Sequence, residues 1–210
     1  MRAHVPPFSR NDYHFVTTWR VRAASGEVAD VLREPLELVR WWPSVYLEAE
    51  EIAPPDSQRL GQQVRLRTKG WLPYTLNWTF TVVENDYPRR FAIDARGDFA
   101  GRGVWTIEQD GTFVNATFDW QVTAEKPLLR MLSPALRPLL EANHRWAMAQ
   151  GEASLLLEIE RRRAGSAAAR GAVPPPPGPV TYAAAGLIAG GVAVAGTLAY
   201  LVCRAAGRRR

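Results

Sequence analysis

The sequence predicts an α+β domain: a curved antiparallel sheet wrapped around one long helix. Three observations predict it. Segments of alternating apolar and polar residues recur between residues 14 and 123, separated by turn-forming stretches. One stretch, from about Lys126 to Glu160, repeats apolar residues at helical spacing. No other stretch there is long enough to cover the sheet's apolar face. With 210 residues, 47% of them hydrophobic, one globular unit with appendages is expected.

The first strand runs from His14 to Arg22, where Phe15, Thr17, Trp19 and Val21 alternate with Val16, Thr18 and Arg20. Ser25 is placed to cap a helix, with Glu27 in its positive first turn. Pro35 suits the start of a second short helix, which ends at Trp42 because Pro43 stops it. Six further strands are predicted at Val45–Ile52, Gln62–Lys69, Tyr74–Glu84, Arg90–Arg96, Gly103–Gln109 and Phe113–Thr123, making seven in all. Leu76, Trp78, Phe80 and Val82 share one face, as do Phe91, Ile93 and Ala95, and Val114, Ala116, Phe118, Trp120 and Val122.

That face is covered by the long helix through Leu128, Leu132, Leu136, Leu139, Leu140, Ala147, Leu155 and Ile159. Ser133-Pro134 reads as a fresh helix start and Pro138 follows soon after, so a break or kink is expected near Ser133.

Beyond Arg163 the composition changes. Ala164 to Val180, with four successive prolines from Pro174 to Pro177, reads as an extended semi-rigid spacer without a core. The uncharged run from Tyr182 to Cys203 has about the 20 residues that a helix needs to cross a bilayer. The expected organisation is an N-terminal segment (1–12), a domain (13–163), an Ala/Pro-rich linker (164–180), a transmembrane helix (181–203) and a basic tail (204–210). Met1 to Phe15 contains no apolar core of a signal peptide, so a single-pass membrane protein with its domain on the cytoplasmic side is expected. Arg204 and Arg208 to Arg210 follow the apolar run more closely than Arg161 to Arg163 and Arg170 precede it, which by itself favours the reverse orientation. Gly186 and Gly190 form a small-xxx-small pair, a route to a weak homodimer.

Charge excludes one class of partner. The net charge is +5, but eight arginines and no acidic residue lie from Arg161 onward, which leaves 18 of the 26 basic residues against 21 acidic ones. The body is slightly acidic, so no nucleic-acid binding is expected. The single cysteine, Cys203, lies in the apolar run and builds neither a disulfide framework nor a cysteine zinc site within one chain.

The order of elements, together with Tyr13-His14-Phe15-Val16-Thr17-Thr18-Trp19, Trp41-Trp42-Pro43, Lys69-Gly70-Trp71-Leu72-Pro73-Tyr74 and Asn143-His144-Arg145-Trp146-Ala147-Met148, resembles the START-like (SRPBCC) superfamily, in its polyketide cyclase/dehydrase and lipid-transfer branch. The resemblance covers about residues 12 to 163. It implies a helix-grip fold and a small hydrophobic ligand, aromatic, polyketide-like or lipidic, held between the sheet and the long helix. It assigns no catalytic role to any residue, because that superfamily places unrelated chemistries in one cavity.

Eight tryptophans are a high density for this length. Trp19, Trp78 and Trp120 fall on the inward strand face, with Phe80, Phe91 and Phe118 beside them, while Trp41, Trp42, Tyr46, Trp71 and Tyr74 belong to the helix and hairpin at the expected mouth. With Leu140 and His144 these are the expected cavity residues; Trp71 to Tyr74 would alternatively dip into a bilayer interface. His144 and Tyr74 are weak candidates for acid/base catalysis, His144 reading more readily as a surface or structural histidine. Asp94, Asp98, Glu108 and Asp119 alternate with inward neighbours and should face solvent. No metal, cofactor or phosphate motif is present: there is no His-Glu-x-x-His helix, Gly-x-Ser-x-Gly elbow or phosphate-cradling loop. The leading expectation is a membrane-anchored binding or carrier protein. The alternatives are a cyclase/dehydratase-type enzyme, and a membrane-proximal scaffold whose cavity is filled by its own tryptophans.

Overall fold

A computed structural model describes residues 12–125 and 127–181, with residues 127–136 described by their backbone alone. The predicted N-terminal segment up to residue 11, the apolar run at 182–203 with Gly186, Gly190 and Cys203, the basic tail, and the side chains of Leu128, Leu132 and Leu136 lie outside it. Among the described residues no helix is long and apolar enough to cross a membrane.

The chain runs β1 (Asp12–Val21), α1 (Ser25–Leu32), a 3-10 turn (Pro35–Glu37), α2 (Leu38–Trp41), β2 (Tyr46–Ala53), β3 (Gln63–Lys69), β4 (Thr75–Asp86), β5 (Arg90–Gly97), β6 (Phe99–Asp110), β7 (Phe113–Ala124), α3 (Pro127–Arg163) and α4 (Ala167–Ala172). The strands form one seven-stranded sheet in the order β1-β7-β6-β5-β4-β3-β2, each pair antiparallel. β1 and β2 are its edges. Along β2 the pairs Arg65–Glu50 (2.7 Å) and Arg67–Glu48 to the neighbouring strand place charge where pairing with another chain would begin.

Two glycines permit the sheet's curvature. Gly97 has φ 131°, and a Cβ there would lie 2.7 Å from the Asn77 carbonyl oxygen. At Gly103 a Cβ would lie 2.7 Å from the Trp120 ring, so its absence lets β7 aromatics lie flat over β6.

The far half of α3 is fixed by charge and packing. The Glu158 carboxylate, 1% exposed, accepts two 2.8 Å hydrogen bonds from the Arg40 guanidinium of α2, and further ones from Arg161 and Arg162. Burial pushes that carboxyl up, but the three guanidiniums outweigh it and hold the pKa at about 2. Arg163 pairs with Glu27 of α1 at 2.7 Å. Gly151 leaves the room that the Trp42 ring fills, since a Cβ there would overlap it.

Four expectations are corrected. Ser25 is the first helical residue of α1, not its cap; Ala24 holds that position, and the Glu27 carboxylate accepts from the Ala24 amide at 2.8 Å. β6 begins at Phe99 rather than Gly103, because Phe99 to Arg102 pair with Ala124 to Gln121 of β7. α3 is helical without interruption through Pro134 and Pro138, so the expected break near Ser133 does not occur. The linker contains α4, capped by Ser166, whose Oγ accepts from the Ala169 amide at 3.1 Å.

Candidate functional site

The inward sheet face and α3 enclose a cavity of about 270 Å³. Its sheet wall is a run of aromatic rings: Trp105 stacks on Phe118 (centroids 4.7 Å apart), Phe118 on Trp120 (5.5 Å), and Trp78 and Phe99 close against Trp120 (5.9 and 5.5 Å). Period-two alternation on β4, β6 and β7 places these rings side by side, and offset or edge contacts add to their burial energy. The helix side contributes Leu140, Asn143, His144, Ala147 and Met148, and β1 contributes Tyr13 and Phe15.

Few polar atoms face this space. Trp78 Nε1 donates to Thr68 Oγ1 at 3.1 Å, which satisfies both. Burial pushes the Tyr74 hydroxyl up to about 12, with the nearby Tyr13 adding to the shift, and burial alone raises Tyr46. The His144 imidazole stacks on Phe15 with centroids 4.1 Å apart. Burial, assisted by the charge of Arg145, lowers its pKa to about 4, so at neutral pH the ring is uncharged. His144 Nε2 and Trp42 Nε1 are buried with no hydrogen-bond partner among the described residues.

The cavity has two polar ends. At one, Lys69, Gly70 and Tyr74 of the β3–β4 connection face Leu140 and Asn143 of α3. Asn143 ties that connection to the helix: its Oδ1 accepts from the Leu72 amide at 3.3 Å, and a Cβ on Gly70 would overlap its side chain. At the other end lie Leu32, Arg33, Pro35 and Arg59. There Arg59 bridges to Glu34 at 2.9 Å, and the Arg33 guanidinium lies 4.6 Å above the Tyr87 ring.

Of the residues expected in the cavity, Trp42, Tyr46, Tyr74, Trp78, Phe80, Phe91, Phe118, Trp120, Leu140 and His144 line it. Trp19, Trp41 and Trp71 do not. Trp19, 1% exposed, packs behind the wall against Trp42 and Trp105, and Trp41, 0% exposed, lies in the core beside Trp42. Alternation assigns Trp19 to the inward face but carries no information on depth. Trp71 is half-buried in the β3–β4 connection, outside the lining. The residues not anticipated include Tyr13, Phe15, Phe99 and Trp105; the signal for Phe15 was its shared face with Trp19. Asp94 and Glu108 are exposed, and Asp119 pairs with His14 at 3.0 Å on the outer face.

The architecture recurs in solved structures. An aromatase/cyclase from Streptomyces sp. R1128 superposes with a TM-score of 0.57 at 20% identity, over 74% of this chain and 99% of that one. A protein from Thermus thermophilus gives 0.57 at 15% identity over 70% and 99%, and a START superfamily protein from Mycobacterium smegmatis 0.51 at 14% over 64% and 93%. The fold is START-like. No family model matches the sequence, and no curated protein does. At these identities the likeness is one of architecture.

Proposed function

We propose that this chain is a membrane-anchored START-like protein that holds a small apolar molecule, aromatic, polyketide-like or lipidic, in the helix-grip cavity. The observation that carries the reading is the continuous aromatic wall around an open space with few polar atoms. An apolar cavity of about 150 Å³ accepts benzene. On that scale the 270 Å³ here leave room for a molecule of about two fused rings or a folded chain of similar bulk. The similarity in fold to the aromatase/cyclase named above is consistent with an aromatic ligand. The uncharged run at 182–203 supplies the anchor, with the domain on the cytoplasmic side.

The scaffold alternative required a collapsed cavity, and the open space removes its motivation. The enzyme alternative keeps one specific support: His144 and Tyr74 both line the cavity. Their acid/base strengths argue for binding over turnover. A general base works best with a pKa near the ambient pH, whereas His144 stands at about 4, and Tyr74 at about 12 is a poor proton donor at pH 7.

The test is native mass spectrometry of the full chain purified from its own host in detergent, with organic extraction, paired with a Nile red titration. An apolar molecule at near-unit stoichiometry that Nile red displaces supports the carrier reading. An empty chain that fails to bind Nile red overturns it.

A further inference from the structure

The segment after α3 does not hang free of the domain. Arg161, near the end of α3, donates from Nη2 to the Pro174 carbonyl at 2.9 Å. Lys69, at the end of β3, donates from Nζ to the Val180 carbonyl at 2.8 Å. Val173 and Pro176, then Pro177 and Val180, are half-buried, while Pro174, Pro175, Gly178 and Pro179 are exposed. The prolines already restrict this segment before it docks, which lowers the entropy lost when the two hydrogen bonds form.

The second fixed point lies at the cavity. Lys69 lines it, together with the adjoining Gly70 and with Tyr74, and the strap ends there, one residue before the uncharged run that begins at Tyr182. The same end of the domain carries Trp71, Leu72 and Pro73, and Leu139 on α3 is 38% exposed. Pro73 and part of Trp71 are exposed at this end, while Leu72 is buried.

We infer that residues 164–181 are an orienting strap, which delivers the apolar run to the β3–β4 end of the cavity and holds that opening against the lipid bilayer. Ligand then passes between cavity and membrane without crossing water. The inference rests on the proposed membrane anchor and deepens the carrier reading by naming the lipid surface as the source or sink of ligand.

The test uses the full chain with Cys203→Ser and a nitroxide on a single introduced cysteine, Trp71→Cys beside the opening or Thr112→Cys at the opposite end of the sheet, in phosphatidylcholine vesicles. Collision with oxygen and with a water-soluble nickel complex reports depth. The expected result is a several-fold higher oxygen-to-nickel ratio at position 71 than at 112. That difference should collapse when Pro174 to Pro177 are replaced by Gly-Ser-Gly-Ser, which leaves Nile red binding in detergent unchanged. Equal ratios at both positions in a chain that floats with the vesicles overturn the strap and spare the anchor. A position 71 that stays immersed without the prolines also overturns it. A chain that does not float overturns anchor and strap together, while Nile red binding separately reports on the cavity.

Discussion

His144 makes the stability of this fold sensitive to mild acid in a way that can be worked out in advance. The folded chain holds the imidazole against Phe15, with Nε2 buried, and lowers its pKa from the ordinary 6.5 to about 4. Between those values the unfolded chain binds a proton that the folded chain refuses. The unfolded state therefore gains as pH falls, and stability present above pH 6.5 is lost on the way down to 4. A gap of ~2.5 pKa units corresponds to about 3 kcal/mol. Replacement by leucine keeps an apolar side chain facing Phe15 and removes the titration. Urea unfolding of both proteins, followed by tryptophan fluorescence at fixed detergent concentration, should show the native chain losing about 3 kcal/mol more than His144→Leu between pH 7 and 4. Other titrating groups act on both proteins and cancel in the difference. Parallel pH dependences would refute the claim that this imidazole is held neutral by burial.

Glu158→Ala leaves Arg40, Arg161 and Arg162 facing one another around a vacated buried site, so a loss of about 3–5 kcal/mol in chemical denaturation is expected; a loss below about 1 kcal/mol would show the cluster to be solvated. Gly151→Ala pushes a methyl into the Trp42 ring and should cost about 1–3 kcal/mol by the same measurement, where an unchanged midpoint would mean the ring moves freely. Leu140→Trp projects an indole into the cavity from α3, and Nile red titration should find binding abolished while near-ultraviolet circular dichroism keeps the native signature; undiminished binding would place the ligand elsewhere.

The sheet was legible because its signal is local. Leu76, Trp78, Phe80 and Val82 alternate along β4, and all four line the cavity. The start of β6 was not legible, since Ala100-Gly101-Arg102 carries no apolar period; its strand character comes from pairing with Val122 and Gln121, remote in sequence. Depth was equally hidden. Trp19 and Trp120 obey the same alternation, yet one is sealed behind Trp42 and Trp105 while the other faces open space. The linker's proline content announced an extended chain, but its docking runs through the carbonyls of Pro174 and Val180, and backbone acceptors leave no mark on a sequence.

Among the described side chains of α3, those from Leu139 to Met148 and those from Gly151 onward are held unequally, and on the proposed carrier reading this asymmetry bears on where ligand enters. From Gly151 onward it is interlocked with Trp42, with the buried Glu158 cluster and with Glu27 of α1, contacts that cannot shift by a residue without leaving a charge or a cavity uncompensated. From Leu139 to Met148 its contacts are those of the cavity: an imidazole stacked on Phe15, one amide latch from Asn143 to Leu72, and side chains facing unfilled volume. Loosening this stretch forfeits one 3.3 Å hydrogen bond and some apolar contact, whereas loosening the other exposes the buried Glu158 carboxylate and breaks its ion pairs. Opening is therefore least costly at the end where Asn143 meets the β3–β4 connection, the same end to which Lys69 ties the chain beyond Val180. On the proposed carrier reading, the Asn143 end is therefore where ligand would enter and leave.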